Sequence, residues 1–202
     1  MRHAGLLLLA GCVIGGTIAP SIFIGDAGAV DDSALKIDAC ALLLASEISA
    51  VVGLPADKGL RRDAGLEANG GYSSSCVWTL SPEKEAPLDP TAPLDGKSFV
   101  ILNAIQWPHD SGLARTFLEA FRKAAVNGDI PSYPRPRDFG DEALWWGDGL
   151  AVRVRDVSFG VSVFIPGLAP RAPGKFEEQL APHILGRLEV RQSGVRADTK
   201  SN

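Results

Sequence analysis

Few residues of this chain are of types that do chemistry at close quarters. His109-Asp110-Ser111 brings together the three side chains of a serine hydrolase. A triad needs those groups to converge from separate segments, which sequence neighbours cannot do. The run reads instead as a loop entering a helix, with Asp110 or Ser111 as its cap. No G-x-S-x-G elbow is present. Asp141-Glu142 offers two carboxylates for acid–base work, but adjacent residues of an extended segment point to opposite faces. A turn in which Gly140-Asp141 satisfies backbone N–H groups accounts for them better. His183 falls at the edge of an apolar helical stripe and reads as packing. Two histidines beyond the N-terminal segment, and cysteines without C-x-x-C spacing, do not make a metal site. The sequence therefore assigns no catalytic residue, no metal and no cofactor, and a binding protein is favoured over an enzyme.

Trp145-Trp146 is the most unusual local feature. In a strand one ring faces each side. Either both rings are covered, or one is exposed, and exposed tryptophan is enriched at binding surfaces. Leu144 and Trp146 make the more apolar face, so Trp145 is the ring expected in solvent. Tyr133, Arg135 and Arg137 lie in a nearby proline-rich loop, and Arg153 and Arg155 alternate with Val152 and Val154 on a strand with one wet face. Trp145, Tyr133, Arg135, Arg153 and Arg155 form the candidate binding set. An aromatic ring flanked by guanidinium groups suits a partner of mixed apolar and acidic character.

The N-terminus argues for export. Met1-Arg2-His3 is a short positive region, the run from Ala4 to Ile24 is apolar, and Ala27-Gly28-Ala29 gives the small-x-small pattern of a signal-peptidase site. Residues 1–29 read as a signal peptide and the mature chain would start at Val30. Two readings compete. Leu9-Ala10-Gly11-Cys12 resembles a lipobox, in which Cys12 would be lipidated, and the whole run is about long enough to remain as a membrane anchor. Membrane contact follows only from these two. All three place the domain outside the cytoplasm, in the periplasm, the envelope or the medium. Cys40 and Cys76 then meet an oxidising compartment that favours a bridge between them; the alternative is two buried free thiols. The net charge of −4, from 20 basic and 24 acidic residues, argues against a nucleic-acid partner.

The elements that must position these residues follow from periodicity. A first helix from Asp38 to Val52 is capped by Asp38 and stopped by Gly53 and Pro55, with Ile37, Ala41, Leu44, Ile48, Val51 and Val52 on one stripe. The stretch 57–74 reads as a loop, with room for one short strand. Strands are expected at 75–80, 99–107, 143–146, 150–155 and 157–165, with turns at Gly147-Asp148-Gly149 and near Asp156. A second helix spans 111–126 with Leu113, Phe117, Phe121 and Ala124 inward. Proline-rich loops cover Pro82 to Pro93 and 128–138. A last helix covers 174–188, with Phe176, Leu180, Ile184 and Leu188 inward and Pro182 kinking or splitting it. Residues 191–202 read as a disordered tail. The order gives one α+β domain over 30–190: a mostly antiparallel sheet of about five strands covered by helices.

Several of these pieces together resemble a family of secreted bacterial proteins, many of them actinobacterial lipoproteins, catalogued as domain of unknown function 3558. They are Asp38-Ala39-Cys40-Ala41-Leu42-Leu43, Val52-Gly53, Cys76-Val77-Trp78, Phe139-Gly140-Asp141-Glu142-Ala143, Leu150-Ala151-Val152-Arg153 and Ile184-Leu185-Gly186-Arg187-Leu188. Ala39 stands where the family usually has proline. The resemblance implies an α/β sandwich similar to the PsbP-like fold and a Cys40–Cys76 disulfide; it implies no activity. The expected function is a non-enzymatic binding module of the envelope or medium, for a protein, lipid or cell-wall component. A hydrolase with a site assembled from distant residues, or a structural accessory of an envelope complex, are the alternatives.

Overall fold

The computed structural model describes residues 36–81, 96–130, 133–167 and 175–198, with side chains as far as Arg191. All belong to the unit Asp31–Asn202. The expected signal segment with Cys12, and the proline-rich loop from Pro82 to Pro93, lie outside the described residues.

The expected first helix is two helices. α1 (Ala39–Leu42) starts at Asp38, whose side chain accepts from Cys40 N at 2.9 Å. The chain then extends at Leu43 and Leu44 before α2 (Ala45–Val52), which closes on Gly53 with φ +80°. The break changes the inward set: Leu43 is fully buried, whereas Leu44 is 46% exposed and Ala41 is exposed. Glu47 Oε2 makes the break tolerable by accepting from Leu44 N at 2.9 Å, satisfying one of the free donors of the new helix start.

Short strands β1 (Leu60–Arg61) and β2 (Gly65–Leu66) both pair with β3 (Tyr72–Leu80), which begins three residues earlier than the alternation suggests. Its added residue Ser74 is buried: its hydroxyl accepts from Ala39 N at 3.0 Å and donates to Asp63 Oδ1 at 2.7 Å. β4 (Ser98–Gln106) pairs along the full length of β3. Next come α3 (Leu113–Asn127), β5 (Arg135–Arg137), β6 (Glu142–Trp145), β7 (Leu150–Val154), β8 (Val157–Phe164) and α4 (Lys175–Asp198). The sheet is antiparallel, in the order β1-β3-β4-β8-β7-β6-β5 with β2 beside β3, so it has eight strands rather than about five. The additions are two- and three-residue strands in stretches dominated by turn residues. β5 contains Pro136, which has no N–H to give and is tolerated because β5 is an edge strand.

Strand alternation sorts the side chains into two layers. Cys76, Trp78, Leu102, Val152, Phe159 and Val161 face one way and pack against Ile37, Leu43, Ile48, Leu180, Ile184 and Leu188, under α1, α2 and α4. Val77, Leu144, Ala151 and Ser158 face the other way, and over β7 and β8 this side is covered by α3. The fully buried residues of α3 are Ala114 and Leu118; Phe117 and Phe121 flank them, half-buried. α4 continues through Pro182, because that residue is on the exposed side, where water can replace the helical bond it cannot give. The helix also runs on to Asp198, into the stretch from 191 expected to lack structure.

Cys40 and Cys76 are bonded, with their Cα atoms 5.1 Å apart. The bridge fastens α1 to the centre of β3. Gly59 lies against it so closely that a Cβ there would stand 2.6 Å from Cys76 Sγ and 2.6 Å from Trp78 Nε1.

Candidate functional site

The two tryptophans are both covered. Trp145 points from β6 into the layer under α4 and is 7% exposed, which overturns its expected exposure. Trp146, just after β6, is half-buried on the α3 side and stacks on Phe121 at 5.0 Å. A row of rings, Trp107, Phe117, Phe121 and Trp146, runs beneath α3, with centroids 5.0–6.0 Å apart. Gly149 makes room for it: a Cβ there would come within 2.5 Å of Trp146 Cζ2 and closer still to Ser162 Oγ. The register sets Trp145 opposite Leu150, on the core face and away from the face that carries Arg153, so the apparent apolarity of Leu144 and Trp146 pointed to the wrong side.

The remaining candidates do not assemble into one patch. Arg135 sits opposite Trp145 in the β5–β6 register, on the α4 side. Arg153 sits opposite Glu142 in the β6–β7 register, on the α3 side, three positions along β6. Tyr133, 63% exposed, and Arg135, also exposed, stay at the β5 edge of the sheet. Arg137, beside them in sequence, is occupied with Glu178 of α4 at 2.5 Å.

Arg153 and Arg155 instead join a polar network at the end of the sheet where the β7–β8 turn lies. Arg122 of α3 donates to Glu142 Oε1 at 2.5 Å, and Arg153 Nε stands 3.7 Å from Glu142 Oε2. Arg153 Nη1 donates to Asp141 Oδ2 at 3.0 Å, and the same oxygen accepts from Arg155 N at 2.5 Å. Asp141 therefore has the turn role expected of it. The exposed Arg155 and the neighbouring Asp156 form the turn, and the Asp156 carbonyl accepts from Trp107 N at 2.8 Å and from Gln106 Nε2 at 3.3 Å. These bonds draw the loop after β4 against the turn.

His109 completes the contact. Its Nδ1 is 2.8 Å from Asp156 Oδ2 and its Nε2 is 3.2 Å from Asp110 Oδ2. The histidine and Asp110 are each 85% exposed, Asp156 only 24%. Among the described residues this is the one group of three acidic, histidine or cysteine side chains whose donor atoms gather within 4.8 Å. Both ring nitrogens face carboxylate oxygens, which is the arrangement of an imidazolium between two anions. Ser111 takes no part: its Oγ accepts from Leu113 N at 3.3 Å, next to the Gly112 cap. The sequence marked His109 and Asp110 as loop residues but gave no pairing with Asp156, because only the fold brings the β7–β8 turn beside the loop after β4.

Elsewhere the one buried acid among the described residues is Glu177, in the first turn of α4. Burial raises its pKa, against the bonds it accepts from its own N–H and from Val163 N at 2.9 Å. β7 begins at Leu150, opposite Val161, so past Val161 the β8 backbone has no described strand on that side, and Glu177 supplies the acceptor. That is a structural role.

Comparisons of the chain with models of protein families, with curated proteins and with solved structures found no match.

Proposed function

We propose that this chain is an exported bacterial envelope or secreted protein and acts as a non-enzymatic binding module for a protein, lipid or cell-wall component. The observation that carries the reading is the Cys40–Cys76 bridge, which pins α1 into the core and is compatible with folding in an oxidising compartment. No described helix is long and apolar enough to cross a membrane, which is compatible with a domain that works beside a membrane or away from it. The resemblance to the secreted family supports the same reading and implies a cleaved or lipidated N-terminus. The contact surface is placed at the exposed polar end of the sheet around Arg155, His109 and Asp110, with Tyr133 and Arg135 at the β5 edge as a separate patch. Exposed Arg155 shares its turn with Asp156, whose carboxylate meets His109, so both charge signs occur there, a pattern suited to a partner that carries both.

The test is twofold. Mass spectrometry of the chain made in an exporting bacterium should find the mature form beginning at Val30. The mature protein should then be retained on purified cell-wall sacculi, or on vesicles of anionic phospholipid, or on one native envelope protein. Arg155→Glu should weaken that retention, and Tyr133→Ala with Arg135→Ala should report on the second patch. A chain retained in the cytoplasm with free thiols would overturn the export reading. Turnover of an ester, peptide or glycoside substrate would overturn the non-enzymatic one.

A further inference from the structure

The sheet-end network contains a chemical mismatch that only a proton can resolve. Ionised carboxylates accept hydrogen bonds and donate none. A neutral imidazole has one N–H and one lone pair, so it can satisfy one carboxylate and must turn its lone pair toward the other. His109 faces a carboxylate at each nitrogen, at 2.8 Å and 3.2 Å. Both contacts are favourable together only when the ring is doubly protonated.

The two carboxylates come from different places. Asp110 belongs to the loop after β4, as His109 does, and Asp156 belongs to the β7–β8 turn. Asp110 and Arg155 are also the only described residues other than glycine with positive φ, at +55° and +52°. Side chains make that conformation costly, so the surrounding contacts must hold it. The charges acting on the ring are those same two carboxylates, while Arg155, next in the turn, gives its backbone N–H to Asp141.

We propose that His109 is a proton-controlled clasp: its Nδ1–H bond to Asp156 holds the loop after β4 to the β7–β8 turn in both protonation states, while the imidazolium alone also holds Asp110, which deprotonation releases. Asp110 is the partner that leaves because it is the longer contact and the far more exposed one. The remaining proton stays on Nδ1, bonded to Asp156. The freed Asp110 can then relax its backbone, and the corner gains one negative charge. The hydrogen bond to Asp156, then the charges of Asp110 and Asp156, raise the histidine pKa above its ordinary value. A histidine raised in this way contributes its stability in full below about pH 6.5, the unperturbed value, and loses it as pH rises through the folded value. The switch thus works above the ordinary histidine value, and added salt weakens it because the ring is exposed.

Imidazole nitrogen NMR on the folded domain tests this directly. His109 should titrate above the ordinary histidine value, fall toward it in Asp156→Asn, and carry its proton on Nδ1 once neutral. A His109 that titrates at or below the ordinary value, ignores Asp156→Asn, or is an Nε2–H tautomer when neutral would overturn the proposal. Amide hydrogen exchange, corrected for its intrinsic pH dependence, gives the conformational readout. Protection at residues 109–111 should fall as His109 deprotonates, and His109→Gln should abolish that step. A step that persists in His109→Gln, or no step in the unaltered protein, would assign the corner to passive surface pairing.

Discussion

Glu47 Oε1 accepts from Arg187 Nη2 at 2.8 Å and lies 3.1 Å from His183 Nδ1. Arg187 also gives Nη1 to the carbonyl of Leu42 at 3.3 Å, where α1 ends. One arginine of α4 therefore closes both sides of the break between the first two helices. It fills an orphan carbonyl of α1 and places positive charge at that C-terminus, and it orients the carboxylate that serves the first turn of α2.

Arg187→Met should therefore cost about 2 kcal/mol of stability, the range for hydrogen bonds to charged groups. Partial burial works against the ionised Glu47, but the bonds from Arg187 and Leu44 and the neighbouring positive charges outweigh it and lower its pKa. The lowered value means that its contribution is present above about pH 4.5 and is lost as pH falls through the folded value. Acid unfolding of the Arg187→Met variant should show a shallower pH dependence in that range, and denaturant titrations at several pH values measure it.

Glu177 has the opposite sign. Its raised pKa means that the folded state holds its proton more firmly than the unfolded chain. Stability from this site is greatest below about pH 4.5 and falls as pH rises through the folded value. Glu177→Gln keeps an acceptor for Val163 N and removes the buried charge. It should match or exceed the parent protein in melting temperature at pH 7. Glu177→Ala should fall about 1 kcal/mol below the glutamine variant, because it leaves that N–H unpaired.

The disulfide closes a loop with a sequence separation of 36. Cys76→Ser or Cys40→Ser should lower stability by about 4 kcal/mol by the loop-entropy estimate. Alkylation of the unreduced, denatured protein followed by mass spectrometry should find neither thiol modified.

Gly149→Ala places a methyl group against Trp146 and Ser162. It should destabilise by about 1–3 kcal/mol through overpacking and change the tryptophan fluorescence. Gly186→Ala, with open space around its Cβ direction, should be neutral or slightly stabilising, since alanine is the better helix former.

Much of the scaffold can be read from residue spacing. The long strands β3 and β4, the hairpin of β7 and β8, the Asp38 cap, the Gly53 stop and the Leu180, Ile184 and Leu188 stripe all carry local signals, and the structure has each of them. The break at Leu43-Leu44 carries none, because the unbroken apolar run from Ala39 to Ala45 fits a helix as well as an interruption; Arg187 and Glu47, far apart in sequence, decide it. β5 is hidden by Pro136. The candidate site was half legible: Arg153, Arg155, His109 and Asp110 were each noticed, but for separate reasons. Their assembly depends on Asp156, whose partner is 47 residues away. Trp145 misled because strand alternation tells which face a ring takes and says nothing of what lies over that face.

Pro136 has a consequence for how copies of this chain meet at high concentration. A sheet grows into a fibre when an exposed rim offers a run of free N–H and C=O groups to another chain. At one rim here a three-residue strand carries a proline between two arginines, so an incoming strand finds a missing donor and repelling charge. At the other, β3 is covered by the two-residue strands β1 and β2, and neither is long enough to template a neighbour. The ends of the sheet act as stoppers, and the same residues that obscure the edges in the sequence keep the folded chains from adding to one another.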